Sequence, residues 1–98
     1  LLENQTTNRM KLDFNFDFLG LDEVAFEGGN AGKMLSGALA GASKGDALKF
    51  WDWAKKLFKG EVLDLDKSDQ ETLKTFIKDS ESFTVLAKAQ LLEVFIKD

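Results

Sequence analysis

From Lys11 to Phe18 the chain alternates without a fault: Leu12, Phe14, Phe16 and Phe18 fall on one parity, Lys11, Asp13, Asn15 and Asp17 on the other. Successive side chains of an extended chain point to opposite faces, so this run predicts a strand with one apolar and one wet face. Gly20 and Asp22 can turn the chain, and Val24, Ala25 and Phe26 offer a short returning strand. A β-hairpin is therefore expected at the N-terminal end, broken by Gly28, Gly29 and Asn30.

Beyond Asn30 the apolar period changes to that of a helix. Asn30 is the expected N-cap of a helix over about Ala31 to Ala42, with Met34, Leu35, Ala38, Leu39 and Ala42 inward and Gly32, Ser36, Gly37 and Gly41 opposite. Each interior glycine costs about 1 kcal/mol relative to alanine, so such a helix depends on tertiary contacts. Asp46 caps a second helix reaching about Lys59, with Gly60 at the position suited to a left-handed helix end. Its stripe is wide, with Ala47, Phe50, Trp51, Ala54, Leu57 and Phe58 inward and Trp53 at a partly exposed margin.

Glu61 to Leu65 reads as extended, with Val62 and either Leu63 or Leu65 inward. A third helix follows over about Lys67 to Lys78 and buries Leu73, Phe76 and Ile77. Two caps compete for its start: Asp66 with Asp69, or Ser68 with Glu71 as a capping box. Thr84 caps a last helix running through Ile96, with Val85, Ala89, Leu92, Phe95 and Ile96 inward. The string Leu-x-x-Phe-Ile-Lys-Asp occurs at 73–79 and again at 92–98, too short to count as a structural repeat. The expected fold class is α+β, an N-terminal β-hairpin followed by about four α-helices packed in one small, mostly helical domain over residues 10–98. Residues 1–9 are expected to form a flexible arm, with Met10 a candidate start.

The composition removes whole reaction classes. With no Cys and no His, the chain has no thiolate nucleophile, no Ser-His or Cys-His pair, no disulfide and no imidazole metal ligand. Zero Cys fits a cytoplasmic location, which is the expectation. The longest apolar runs are a few residues, far below the roughly 18 to 20 that cross a bilayer, so no membrane association is expected. A net charge of −4 argues against direct nucleic-acid binding, which requires a basic surface. Lys55, Lys56 and Lys59 cluster locally, at a helix end whose dipole favours cations.

Three short patterns have chemical overtones and simpler structural readings. Asp64, Asp66, Ser68, Asp69 and Glu71 begin like a calcium loop, but Asp69 stands where the sharp-turn glycine belongs and Thr75 where the closing glutamate belongs. Gly28 to Lys33 has the flavour of a phosphate loop without its spacing, and Met34 replaces the required hydroxyl. Asp13 and Asp17 share a strand face with Asn15 and read as the wet side of a hairpin. No catalytic residue, metal or cofactor is assigned. The candidate interface residues are Asp13, Asn15 and Asp17 on that wet face, Gly37 and Gly41 as a close-approach helix face, and Trp53 as an aromatic rim.

The order of features resembles small proteins of unknown function encoded by bacteriophages and prophages. The residues that carry the resemblance span about 14 to 95: the hairpin, Asn30 to Leu35 with Ala38-Leu39, Gly45 to Phe50 with Ala54 to Leu57, Leu63 to Asp66, and Val85 to Glu93. They are mostly core and capping positions. The resemblance implies a common fold and offers no catalytic or ligand residue to carry over. The expected function is a noncatalytic protein-interaction module of phage or prophage origin, with a host or phage protein as partner and a homo-oligomer as a further form. The alternative is an acidic regulator or DNA mimic that inhibits a host nucleic-acid-binding protein. A small enzyme restricted to carboxylate, lysine or hydroxyl chemistry is a third, weaker reading.

Overall fold

A computed structural model describes residues 9–96, so the arm expected over residues 1–9 lies, apart from Arg9, outside the described residues. In chain order the elements are β1 Met10–Leu12, β2 Asp17–Leu19, β3 Ala25–Asn30, α1 Ala31–Ala40, α2 Ala47–Phe58, β4 Leu63–Leu65, α3 Lys67–Asp79 and α4 Val85–Glu93. The class is α+β, four helices with small antiparallel sheets. The contacts group into two compact units, Asp13–Val62 and a second assembled from residues 9–12 and 63–96.

The alternating run at the start is not one strand. Its first part pairs as β1 with β4, and its second part pairs as β2 with β3. Between them the Asn15 N–H donates to Asp13 Oδ1 at 2.9 Å and the Phe16 N–H donates to the Phe14 carbonyl at 2.9 Å. A short aspartate side chain that captures a backbone N–H two residues on makes a turn at the expense of the ladder. The parity still holds for burial: Leu12, Phe14 and Phe18 are buried and Phe16 half-buried, while the polar set is exposed. Alternation thus specifies the faces of the run and leaves its partners open.

In the Asp13–Val62 unit, β2 and β3 form the expected hairpin, with a register irregularity between Asp17 and Leu19. Gly28, Gly29 and Asn30 do not break the returning strand; β3 runs through them to the first residue of α1. Asn30 then caps α1: its Oδ1 accepts the Lys33 N–H at 3.0 Å and its Nδ2 donates to Asn15 Oδ1 at 3.1 Å. The Ala31 N–H also donates to the Phe16 carbonyl at 2.7 Å, so the hairpin fixes where the helix begins. Asp46 caps α2 by accepting the Lys49 N–H. At the other end Gly60, with φ of 82°, closes a Schellman motif through Gly60 N–H to Leu57 O and Glu61 N–H to Lys56 O.

Helices α1 and α2 pack on each other, and the packing turns α1 away from the face its sequence suggests. Ala31, Gly32, Leu35, Ser36 and Leu39 are buried, whereas Met34 is exposed. Gly32 lies on the buried face, where the helix is tightly approached. A Cβ there would stand 3.2 Å from the carbonyl oxygens of both Leu57 and Phe14, so any larger residue would push these backbones apart by a few tenths of an ångström. On α2 the buried set is Phe50, Trp53, Ala54 and Leu57, with the Phe50 ring stacked on Trp53 at 5.6 Å. The two tryptophans exchange their expected roles: Trp53 is 4 % exposed and Trp51 is 55 % exposed.

In the second unit β1 and β4 pair antiparallel as Met10↔Leu65, Lys11↔Asp64 and Leu12↔Leu63, with Leu12, Leu63 and Leu65 buried. Val62, expected inward, is exposed. Arg9 braces the edge, its Nε 3.2 Å from Asp64 Oδ1 and its Nη2 donating to the Asp64 carbonyl at 2.9 Å. Asp66 is the cap of α3, accepting the Asp69 N–H at 2.8 Å, which decides between the two capping readings. Thr84 caps α4 as expected. Its buried face is Ala87 and Leu91, continued by Phe95, in place of the expected Val85, Ala89 and Ile96, which are exposed. Lys88 Nζ donates to the Lys78 carbonyl at 2.8 Å, satisfying a last-turn acceptor of α3.

Candidate functional site

A groove of about 310 Å³ runs along α1 and α2 in the Asp13–Val62 unit. Its origin lies in a mismatch of side-chain size. Helix α1 contributes Ser36, Gly37 and Ala40, and nothing lies within 4 Å of where a Gly37 Cβ would stand. Helix α2 contributes Trp51 and Phe58, two turns apart on one edge, with Ala54 between them as floor. Large residues on one helix facing small residues on the other leave a depression walled by rings. Ser36 does not make this surface polar, because its Oγ donates to the Lys33 carbonyl at 2.7 Å.

The rim of the groove is basic. Lys55 Nζ lies 5.8 Å from the centre of the Trp51 ring and Lys33 Nζ lies 5.5 Å from that of Phe58. Lys59 completes the lining on the α2 side. Lys56, by contrast, is held 3.1 Å from Asp52 one turn back. A cation over an aromatic face is attracted by the ring quadrupole, so these lysines sit beside the apolar walls and keep their charge in water. The result is an apolar, aromatic groove edged in positive charge on a chain whose net charge is −4.

The residues singled out in the sequence are distributed differently. Asp13 and Asn15 are exposed but serve the turn between β1 and β2, and Asn15 also orients the α1 cap. Asp17 lies exposed on β2 opposite Asn30. Gly37 lines the groove, whereas Gly41 is the C-cap of α1, its N–H donating to the Gly37 carbonyl at 2.9 Å. Trp53 is buried and cannot form a rim; Trp51 takes that place, with Phe58. A signal for the pair was present: Trp51, Lys55 and Phe58 follow one another at i, i+4 and i+7, a second stripe beside the buried set Phe50, Trp53, Ala54 and Leu57.

Among the described residues no cluster of His, Cys, Asp or Glu could hold a metal ion, and the acidic stretch 64–71 is used for capping and strand bracing. Glu71 has its carboxyl held below the usual range by a hydrogen bond and charge attraction from Lys74, 3.0 Å away. Among the described residues no helix is long and apolar enough to cross a membrane. No protein-family model matches the chain, and neither a curated protein nor a solved structure matches it.

Proposed function

We propose that the chain is a noncatalytic protein-binding module whose α1–α2 groove receives the apolar side chains of an acidic, amphipathic partner segment. The observation that carries this reading is the pair Trp51 and Phe58, 55 % and 63 % exposed, walling one groove with a lysine beside each ring. Exposed aromatics clustered in a concavity are what protein interfaces use as energetic centres. An amphipathic helix that lays apolar residues into such a groove places its flanking side chains over the rim. Three lysines on that rim favour carboxylates there and disfavour bases. The absence of Cys and His supports a noncatalytic role. A phage or prophage origin belongs to this reading on the strength of the sequence resemblance, and the neighbouring genes test it.

The test is calorimetric titration of the full chain with two synthetic helical peptides that share an apolar stripe of Leu and Phe. One carries Glu on the flanks of the stripe and the other carries Lys. The Glu peptide is expected to bind, to weaken with added salt, and to lose binding in Trp51→Ala. Equal binding of both peptides, or of neither, sinks the proposal.

A further inference from the structure

The Asp13–Val62 unit carries a second exposed apolar surface, of opposite charge, at the tip of the β2–β3 hairpin. The tip is a well-defined turn: the Glu23 N–H donates to the Gly20 carbonyl at 2.9 Å and the Gly20 N–H to the Val24 carbonyl at 3.0 Å. Glu23 occupies the left-handed region with φ of 65°, and Asp22 Oδ1 accepts the Val24 N–H at 3.1 Å. This is a three-residue hairpin loop with a bulge. Its apex residue Leu21 is 100 % exposed, and Val24 and Phe26 are also exposed. Asp22, Glu23 and Glu27 surround them, all exposed.

The charge is sharply divided along this unit. Residues 13–32 hold five carboxylates and no Lys or Arg, whereas residues 33–59 hold six lysines against two aspartates. An apolar tip ringed by carboxylates and an apolar groove ringed by lysines are complementary in both respects. Leu21 is wholly exposed, so the chain's own groove does not cover it. We infer that a second copy of this chain is an occupant of the groove: its Leu21 enters between Trp51 and Phe58, and its Asp22 and Glu23 meet Lys55 and Lys59. The inference rests on the groove being a docking site, as proposed above. Because tip and groove are different surfaces, the contact is heterologous, and each added copy presents a new open tip and a new open groove. Assembly therefore runs head to tail, into a ring or a filament, and weakens as salt screens the rim charges.

Sedimentation velocity on the full chain tests this, with two variants at exposed positions. Leu21→Asp removes the wedge and keeps the charge sign; the double variant Lys55→Glu, Lys59→Glu reverses the rim. The wild-type sedimentation coefficient is expected to rise with concentration and to fall back at high salt. Each variant alone is expected to dissociate at least about tenfold more readily. A mixture of the two variants leaves one functional groove and one functional tip, so it is expected to give a 1:1 heterodimer and nothing larger. Association that survives both variants, or a variant mixture that stays monomeric, overturns the inference. A wild-type chain that is monomeric at all concentrations yet binds the Glu-flanked peptide overturns the self-assembly and leaves the groove reading standing. Failure of the peptide as well removes both.

Discussion

The two units treat large apolar side chains differently. Of the eleven large hydrophobic residues exposed among those described, nine lie in Asp13–Val62 and only Val85 and Ile96 in the other unit. In the unit built from residues 9–12 and 63–96, Leu12, Leu63, Leu65, Leu73, Ile77 and Leu91 are all buried. The Asp13–Val62 unit buries a comparable set and still leaves two rings, a methionine and a hairpin tip in water. Scattered exposed apolar residues need no explanation; rings gathered on one concavity beside lysines do. The difference separates a unit that leaves few large apolar residues in water from the unit that carries the proposed docking surface.

The sharpest test of that separation is the pair of tryptophans two residues apart. Trp53→Ala opens a cavity beside Phe50 and is expected to cost about 3–5 kcal/mol in urea unfolding. Trp51→Ala is expected to change stability by no more than about 0.5 kcal/mol while removing peptide binding. Equal destabilisation by both would break the assignment of one to core and one to surface.

The repeated heptad offers the same contrast in the other unit. Ile77 is 0 % exposed and Ile96 is 79 % exposed, although each follows Leu-x-x-Phe and precedes lysine. Ile77→Ala is expected to lower stability by about 2–5 kcal/mol, and Ile96→Ala by less than about 0.5 kcal/mol. A smaller effect, of about 1 kcal/mol, is expected from Asp66→Ala, which removes the α3 cap. Ser68→Ala should be nearly silent, since the Asp69 N–H is bonded to Asp66.

The smallest effect is a titration. Glu71 has its carboxyl lowered by Lys74, so the folded form holds that proton less tightly than the unfolded chain. Its contribution to stability is present above the ordinary glutamate range and is lost as pH falls through the lowered value. Lys74→Met should return the Glu71 midpoint upward in an NMR titration; an unchanged midpoint would show that the pair does not act in solution.

Local chemistry made much of this architecture readable. Asn30, Asp46 and Thr84 cap the helices expected of them, and Gly60 ends α2 in the left-handed conformation, because caps and helix ends depend on a few neighbouring atoms. What the residues did not reveal depends on distant partners. The run 11–18 shows its faces but not that β4 and β3 divide it. Helix α1 turns Gly32 inward, close to the carbonyls of Leu57 and Phe14, a contact across 25 and 18 positions of chain. The heptads 73–79 and 92–98 show that identical local pattern fixes no burial: Ile77 is buried and Ile96 is not. The groove was hidden for a related reason. Helix α2 carries two adjacent apolar stripes, and only the packing of α1 selects which of Trp51 and Trp53 goes inside.

The central claim is that the α1–α2 groove, walled by Trp51 and Phe58, is a docking surface. The two indole N–H resonances of the ¹⁵N-labelled full chain report on it separately, one from the groove and one from the core. On titration with the Glu-flanked amphipathic peptide, the Trp51 resonance is expected to move progressively to saturation while that of Trp53 stays in place. A stationary Trp51 resonance, or one that responds equally to the Lys-flanked peptide, would contradict the claim.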